Sequence, residues 1–513
     1  MSARLARYLI IFTGSLLTIF LYHSWYDSRT LHFDEWLHLT ELGRSPSALT
    51  WVLAPYQEHF TPLSKLVYLL NLWMFGYEAG YFTLVNTILY ITLFVTIVRL
   101  LHQLSYSLWS IAAVAILLNW NAVFPEAIIW EHQKMHLFLI GLVNAVTSYL
   151  RSRDQGDWRG HLETTGFLLL SMLSFGFGVF TIVPFIVFVL LKEGALLVSG
   201  KAWKPVVLAS LCFAALFLAF AYSGVNEDYS ARTSAETHST AYLLKTVKIS
   251  VMAFWYGIVL PFLGVFQTPS VEEFSSSWSI FIGISLSFLA GFCGLMALRT
   301  NNARDRFGLL PVLGFALALI GIFTFAQAFY RGGASYEGLK FLLDWNRYAF
   351  IPGVGFVVVI GVCVEALFRM LPRKEVMVVA LLVLTAPGLV FARSIVERTA
   401  HFQEFFFRND AIRDVVRDYE LVFHSEVIAD FKTAPLPDIA WVNPLLVPGY
   451  PLYLSHFVRY HPRSRRVGPP RILTFEELEQ LSPVEREKIF EAALTHPILG
   501  PLYARRSSAP SEK

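Results

Sequence analysis

Two adjacent carboxylates, Asp34 and Glu35, follow the first long apolar segment of the chain. A carboxylate held beside a hydroxyl group can take its proton while the hydroxyl oxygen attacks another atom. The segment before the pair, about Leu5 to Trp25, is long enough to cross a hydrocarbon layer of ~30 Å at ~1.5 Å per residue. We therefore expect the two acidic residues to emerge at the far end of a membrane-spanning helix.

Other polar residues are predicted to lie on the same side of the membrane as this pair. A reaction between a lipid-linked anionic donor and an acceptor outside the cell needs a carboxylate base and cations that hold the lipid phosphate. The predicted outer loops cover 26–80, 124–136 and the segment before Tyr348. Both kinds of residue occur in these loops, namely Glu58, His59, Glu126, Lys134, His136 and Arg347. The alternative, that loops simply collect polar residues, stays open for each of them singly.

The elements that would position these residues are membrane helices. The chain has 513 residues, of which 55% are hydrophobic and 15% charged, and its mean hydropathy is +0.52. These values are typical of an all-α polytopic membrane protein. The net charge of +3 is too small to indicate a nucleic-acid partner. The three cysteines lie apart in apolar segments, which disfavours a disulfide framework or a zinc site.

Apolar runs and basic loops predict about eleven spans with the N-terminus in the cytoplasm. The segment Tyr242–Phe266 is predicted not to cross, because the basic loop Arg299–Arg306 must lie inside. The spans are Leu5–Trp25, Tyr81–Leu101, Ser107–Val123, Leu137–Leu150, Phe167–Phe180, Ile182–Val198, Pro205–Ser223, Ser279–Leu298, Phe307–Phe329, Tyr348–Phe368 and Val376–Phe391. Glycines in SFGFGVF and Pro184 predict a break between two of them.

The composition changes near residue 394, where apolar runs give way to charged amphipathic segments. We expect a transmembrane domain over 1–394 and a small α-rich extracytoplasmic domain over 395–513. A capping box and Pro483 predict a short helix at Glu485–Leu494. Motifs for nucleotide hydrolysis, metalloproteolysis and serine hydrolysis have no convincing context in the chain.

Four segments of the chain form a recognisable set. They are, in chain order, FDEW after the first span, EHFTPLSKLVYLLNLWMFGYEAGYFTLVNTILY, PEAIIWEHQKMHLFLI in the second loop, and NRYAFIPGVGFVVVIG at a late span. They resemble motifs of the GT-C superfamily of glycosyltransferases, and the resemblance covers most of Leu5 to Phe391. The chain looks similar to protein O-mannosyltransferases and to transmembrane O-mannosyltransferases that carry tetratricopeptide repeats.

The resemblance implies an inverting, mannosyltransferase-like enzyme in the plasma or inner membrane, with a polyprenyl-phosphate sugar as donor. Asp34 would be the general base and Glu35 its neighbour in the motif. Arg347 would bind the donor phosphate, assisted by Lys134 and His59. Glu126, His136 and Tyr348 would belong to the second-loop or acceptor site.

The chain departs from the family at two points. His136 stands where the second loop of the family usually has an aspartate, so a second carboxylate and a metal shared between the loops do not carry over. A divalent metal is compatible with the reaction, and no cofactor is firmly implied. The tetratricopeptide repeats are missing, so acceptor recognition does not carry over either. The sequence carries no signal for the sugar, the acceptor or the oligomeric state.

Three other functions stay open. A lipid-linked glycan polymerase or ligase would have a long outer loop late in the chain, whereas the late loop here spans only Tyr330–Trp345. A transporter would have ionisable residues near the middle of a discontinuous helix, and SFGFGVFTIVP keeps that alternative open. A membrane scaffold without catalytic activity could use the same helices.

If Asp34 is the base, Asp34→Asn should fold and bind donor but transfer sugar roughly 10²- to 10⁴-fold more slowly. The measurement is transfer of radiolabelled sugar from a polyprenyl-phosphate donor in isolated membranes. Glu41→Gln, a change in the same loop, should transfer at the wild-type rate. Wild-type activity in Asp34→Asn would contradict the assignment.

Overall fold

A computed structural model describes most of the N-terminal three quarters of the chain and short pieces of the remainder. The described residues are 3–22, 38, 42, 45, 47–55, 60–75, 79–121, 123–129, 133–155, 158–175, 180–193, 212, 215, 239–263, 265–299, 303–330, 335–344, 346–371, 373–390, 427–429, 471–473 and 482–484.

These residues form helices throughout, apart from one pair of short strands. The helices are α1 (Ala3–Tyr22), α2 (Ala48–Leu53), α3 (Pro62–Phe75), α4 (Ala79–Gln103), α5 (Leu108–Asn119), α6 (Pro125–Ile129), α7 (Gln133–Gln155), α8 (Trp158–Ser174), α9 (Ile182–Glu193), α10 (Thr240–Phe254), α11 (Leu260–Phe262), α12 (Val271–Ser275), α13 (Trp278–Arg299), α14 (Ala303–Tyr330), α15 (Tyr336–Asp344), α16 (Phe350–Met370) and α17 (Lys374–Val390). A π-helical turn, Trp255–Val259, joins α10 to α11, and a 3-10 turn, Asn346–Ala349, precedes α16.

The chain divides into two compact units. The first comprises Met1–His23, Val52–Val67 and Leu84–Thr399, and the second comprises Ser24–Trp51, Tyr68–Thr83 and Ala400–Lys513. In the second unit, strands β1 (Val427–Ala429) and β2 (Arg471–Leu473) pair in parallel. The predicted helix Glu485–Leu494 lies outside the described residues, although Pro483 just before it is helical.

Several helices could span a membrane, as the composition predicts. Four of the described helices are long and apolar enough by length and composition: Tyr81–Gln103, Thr240–Phe262, Gly308–Phe329 and Arg347–Met370. Shorter apolar helices cover Leu5–Phe20, Leu108–Asn119 and Trp278–Ser287. The number of about eleven spans stays a prediction, and most of the expected span Pro205–Ser223 lies outside the described residues.

The helix bounds differ from the expected spans where side chains intervene. α5 begins after Ser107, whose hydroxyl accepts a hydrogen bond from the Ser110 amide at 3.3 Å. It ends at Asn119, four residues before the expected end at Val123, because the Asn121 side chain binds the last carbonyl groups of the helix. α8 ends at Ser174 and α9 begins at Ile182, and residues 176–179 between them lie outside the described part of the chain.

Short helices also occur where the sequence predicts outer loops. α2 and α3 lie within 26–80, α6 lies within 124–136, and α15 lies between α14 and α16. α2, α6 and α15 have fewer than ten residues, and α3 has 14. Hydropathy alone does not separate such short helices from loops. The outer loops are therefore partly helical.

One end of the first unit is held by ion pairs, and we call it the basic end. Arg153 Nε lies 2.6 Å from Glu193 Oε1, and the Tyr149 hydroxyl donates to the same oxygen at 2.6 Å. The Glu193 side chain is 4% exposed. A buried carboxylate is stable only when paired, so this contact fixes the ends of α7 and α9 together.

Glu365 extends the basic end to α4, α5 and α16. Its carboxylate accepts from the Ser107 amide and the Ser110 hydroxyl, each at 2.7 Å, and from Arg369 Nε at 2.8 Å. Burial raises the pKa of the nearby Tyr106 phenol, and the Glu365 carboxylate raises it further. The turn from α4 to α5 and the end of α16 therefore lie together.

The opposite end of the first unit holds the predicted second loop, and we call it the loop end. The Thr18 hydroxyl donates to Asn119 Oδ1, which joins the last turns of α1 and α5. The Tyr90 hydroxyl donates to the Leu118 carbonyl, which joins α4 to the same turn. α6 packs against the 3-10 turn before α16.

The segment Thr240–Phe262 is one continuous helical rod of 23 residues. Its π turn comes just before Pro261, which has no N–H to bond the Gly257 carbonyl. The Tyr242 hydroxyl donates to the Phe329 carbonyl at 2.9 Å, and the π turn packs against the 3-10 turn. The first contact is with the C-terminal end of α14, and the second is with the turn that precedes α16. The segment is long enough to cross, so its predicted non-crossing course stays a prediction.

The two ends give a direct test of the predicted topology. In a variant with Cys212, Cys293 and Cys363 replaced by alanine, Lys340→Cys should react with a membrane-impermeant maleimide in intact cells. Trp158→Cys should react only after the cells are permeabilised. Both side chains are exposed and lie near opposite ends of the first unit. Equal labelling in intact cells would contradict the assignment of opposite sides.

Candidate functional site

The predicted site residues fall into described and undescribed groups. Asp34, Glu35 and His59 lie outside the described residues. Glu126 lies on α6, and its side chain is not described. Four others are described together with their side chains, and all of them belong to the first unit: Lys134, His136, Arg347 and Tyr348.

Asn121 shapes the start of the second loop. Its side-chain nitrogen donates to the carbonyl oxygens of Leu117 and Leu118, both at 2.9 Å. Its side-chain oxygen accepts from the amides of Val123 and Phe124 at 2.8 and 3.0 Å. The side chain thus ends α5 and supplies the first hydrogen bonds before α6, so that Phe124 has a fixed position.

Phe124 fills the space between the second loop and α16. It is 1% exposed, and its ring centroid lies 5.2 Å from that of Phe350 and 5.7 Å from that of Phe262. A Cβ atom added at Gly353 would lie 2.7 Å from Phe124 Cε1. Glycine at this position in NRYAFIPGVGF therefore makes room for the phenylalanine ring.

His136 is buried beside the same residues. It is 0% exposed, and its ring centroid lies 4.9 Å from that of Phe350 and 6.0 Å from that of Tyr90. A side chain so enclosed contacts its protein neighbours rather than a substrate in this conformation. The prediction that it belongs to the second-loop site stays open, whereas its burial indicates a structural role within that loop.

Arg347 lies on the 3-10 turn at the loop end, three residues before Phe350. Its side chain is half-buried, and its guanidinium carbon lies 5.3 Å from the centroid of the Tyr348 ring. Tyr348 in turn packs against Phe341 of α15 at 5.8 Å between centroids. Stacking of this kind restricts the orientation of a guanidinium group.

Two lysines in the first unit are buried. Lys134, in the first turn of α7, is 7% exposed, and Lys65, in the first turn of α3, is 1% exposed. Lys65 Nζ donates to the Ala54 carbonyl at 2.9 Å. We did not select Lys65 from the sequence, although it stands in the EHFTPLSK segment. The sequence feature that could have identified Lys65 is the position of a lysine at the start of an apolar helix.

An apolar cavity of about 350 Å³ lies between α10, α13, α14 and α16. Its lining includes Phe254, Leu317, Ile320 and Phe356. Gly321 also faces it, and a Cβ atom added there would have no neighbour within 4 Å. Phe254 and Phe356 are in edge contact at 5.8 Å, and Phe356 also contacts Phe262, which touches Phe124. Aromatic contacts thus link the cavity to the second loop.

The described part of the site includes the half-buried side chain of Arg347 on the 3-10 turn before α16. A half-buried guanidinium group on a fixed turn matches the planar geometry of a phosphate or carboxylate. Within the described ranges, no three His, Cys, Asp or Glu residues lie together as metal ligands. No family model matches the chain, and no curated protein matches it.

The hydrogen bonds of Asn121 lead to a stability prediction. Asn121→Leu should destabilise the protein by about 1–3 kcal/mol for each buried N–H left without its acceptor. Asn144→Leu is the matched control, because the Asn144 side chain is less buried and donates only to the Ile140 carbonyl of its own helix. Thermal unfolding of the purified protein in detergent measures both. Equal melting temperatures for the two variants would contradict the role of Asn121.

Proposed function

We propose that the chain is an integral-membrane glycosyltransferase that moves a sugar from a polyprenyl-phosphate donor to an acceptor outside the membrane. The observation that carries the proposal is the packing of α6, in the second loop, against the 3-10 turn that bears Arg347. This packing supports the proposal that the second loop and the Arg347 turn, which the sequence assigns to one reaction, belong to the same site. The motif resemblance supplies the class of reaction.

In the proposed mechanism, Asp34 takes the proton of an acceptor hydroxyl as its oxygen attacks the anomeric carbon. The bond from that carbon to the phosphate oxygen breaks, and its electron pair leaves with the polyprenyl phosphate. Arg347 stabilises the negative charge that develops on this leaving group. Glu35 would stand beside the base, and Lys134 and His59 would assist at the phosphate.

The apolar cavity supports a donor with a hydrocarbon chain. A lipid-linked substrate must keep its chain in an apolar environment while its phosphate stays among polar groups. The cavity between α10 and α14 offers the first environment, and the Arg347 turn offers the second. Aromatic contacts through Phe262 and Phe124 place both environments in one packed region of the first unit.

The proposal is tested by binding of polyprenyl phosphate, the leaving group common to donors of this class. Arg347→Ala should weaken binding roughly tenfold to a hundredfold, because a hydrogen-bonded charge pair is lost. Arg347→Lys should bind with intermediate affinity, since lysine keeps the charge without the planar fork. Arg373→Ala, an exposed arginine at the basic end, is the control. Absence of binding to the wild-type protein would contradict the proposal.

The same assay examines the cavity. Gly321→Leu should weaken binding of long-chain polyprenyl phosphate, because Gly321 lines the cavity and a Cβ atom added there has no neighbour within 4 Å. Gly166→Leu is the matched control, since Gly166 also has open space around its Cβ position and does not line the cavity. Equal affinities in both variants would exclude this cavity as the chain site.

A further inference from the structure

We propose that Phe124 and His136 are positioning residues that hold the Arg347 turn in the geometry required to bind the donor phosphate. This inference rests on the proposed function and adds a role for the second loop. Neither residue would touch the phosphate. Both would act through Phe350, the residue of α16 that directly follows the turn.

The first support is the enclosure of Phe350 by the second loop. Phe124 contacts it edge-on at 5.2 Å between centroids, and His136 contacts it at 4.9 Å. Tyr90 of α4 contacts all three rings, at 6.4 Å to Phe124, 6.0 Å to His136 and 6.3 Å to Phe350. Phe350 is fully buried in this group. The start of α16 therefore cannot move without displacing the second loop.

The second support is the short chain connection to the arginine. Arg347 and Phe350 are separated only by Tyr348 and Ala349, and the 3-10 turn that contains Arg347 leads directly into α16. Rotation or translation of Phe350 would therefore carry the guanidinium group with it. The direct packing of α6 against the turn adds a second restraint.

The third support is that the loop itself is fixed. Asn121 accepts from the amide of Phe124, and the Phe124 ring lies in the space left by Gly353. Bidentate binding of phosphate depends on the direction of the guanidinium plane. A binding group held before the ligand arrives loses less conformational entropy on binding. The loop would thus raise donor affinity without contacting the donor.

Two glycines of α16 allow a matched experiment on the full chain. Gly353→Ala places a Cβ atom 2.7 Å from Phe124 Cε1, whereas Gly361→Ala places one 2.5 Å from Val114 Cγ2. Both substitutions crowd α16, and only the first displaces the second loop. We expect similar losses of melting temperature, but a loss of polyprenyl-phosphate affinity of about threefold to tenfold in Gly353→Ala alone.

A double-mutant comparison separates positioning from general destabilisation. In an Arg347→Lys background, Gly353→Ala should change the affinity far less than it does beside arginine, because lysine does not depend on the direction of a plane. His136→Leu should weaken binding, and His136→Phe should restore most of it by keeping an aromatic ring against Phe350. The inference would be overturned if the effects of Gly353→Ala and Arg347→Lys on polyprenyl-phosphate affinity were additive. Equal affinities in Gly353→Ala and Gly361→Ala would also overturn it.

The outcomes also distinguish this inference from the proposed function. If the wild-type protein binds polyprenyl phosphate and Gly353→Ala binds it equally well, only the positioning role fails. If the wild-type protein does not bind it, both are overturned.

Discussion

The packing of the loop end depends on hydrogen bonds that satisfy buried backbone polar groups where a helix ends. At the end of α5 these bonds are made by one side chain, Asn121, which donates to two carbonyl groups and accepts from two amides. Buried backbone outside a helix needs partners of this kind. Because Asn121 meets this need, the chain can turn sharply, place Phe124 against α16 and begin α6.

The two ends of the first unit use different interactions. Ion pairs and carboxylate hydrogen bonds join the basic end, where Glu193 and Glu365 are buried but paired. Aromatic packing and neutral hydrogen bonds join the loop end, where Tyr90, Phe124 and Phe350 meet. The basic end is thus suited to hold helices together, while the loop end keeps cationic side chains next to apolar surfaces. An anionic ligand with a hydrocarbon chain needs that second combination.

Long apolar helices were predictable from the sequence, and the contacts between distant segments were not. α4, α14 and α16 follow apolar runs bounded by polar residues, so their expected bounds are close to those observed. α2 and α6 were missed because they have only 6 and 5 residues. α3 was missed because its 14 residues, although apolar, are too few to be predicted as a span. Residue type and motif identified Arg347 and His136 as candidate site residues from the sequence. The sequence could not reveal Phe124 or Gly353, because their fit depends on two segments far apart in the chain. Three further predicted residues, Asp34, Glu35 and His59, lie outside the described residues.

The most direct test of the account is whether Asp34 and Arg347 approach each other in the membrane-embedded protein, because proton transfer and phosphate binding must occur around one donor. Cysteines at positions 34 and 347, in a variant without the native cysteines, can be treated with a bifunctional maleimide that spans ~10 Å, roughly the reach of two facing side chains and a sugar phosphate. The account predicts an intramolecular cross-link between the two positions. Failure to cross-link, while each cysteine alone reacts with a monofunctional maleimide, would contradict it.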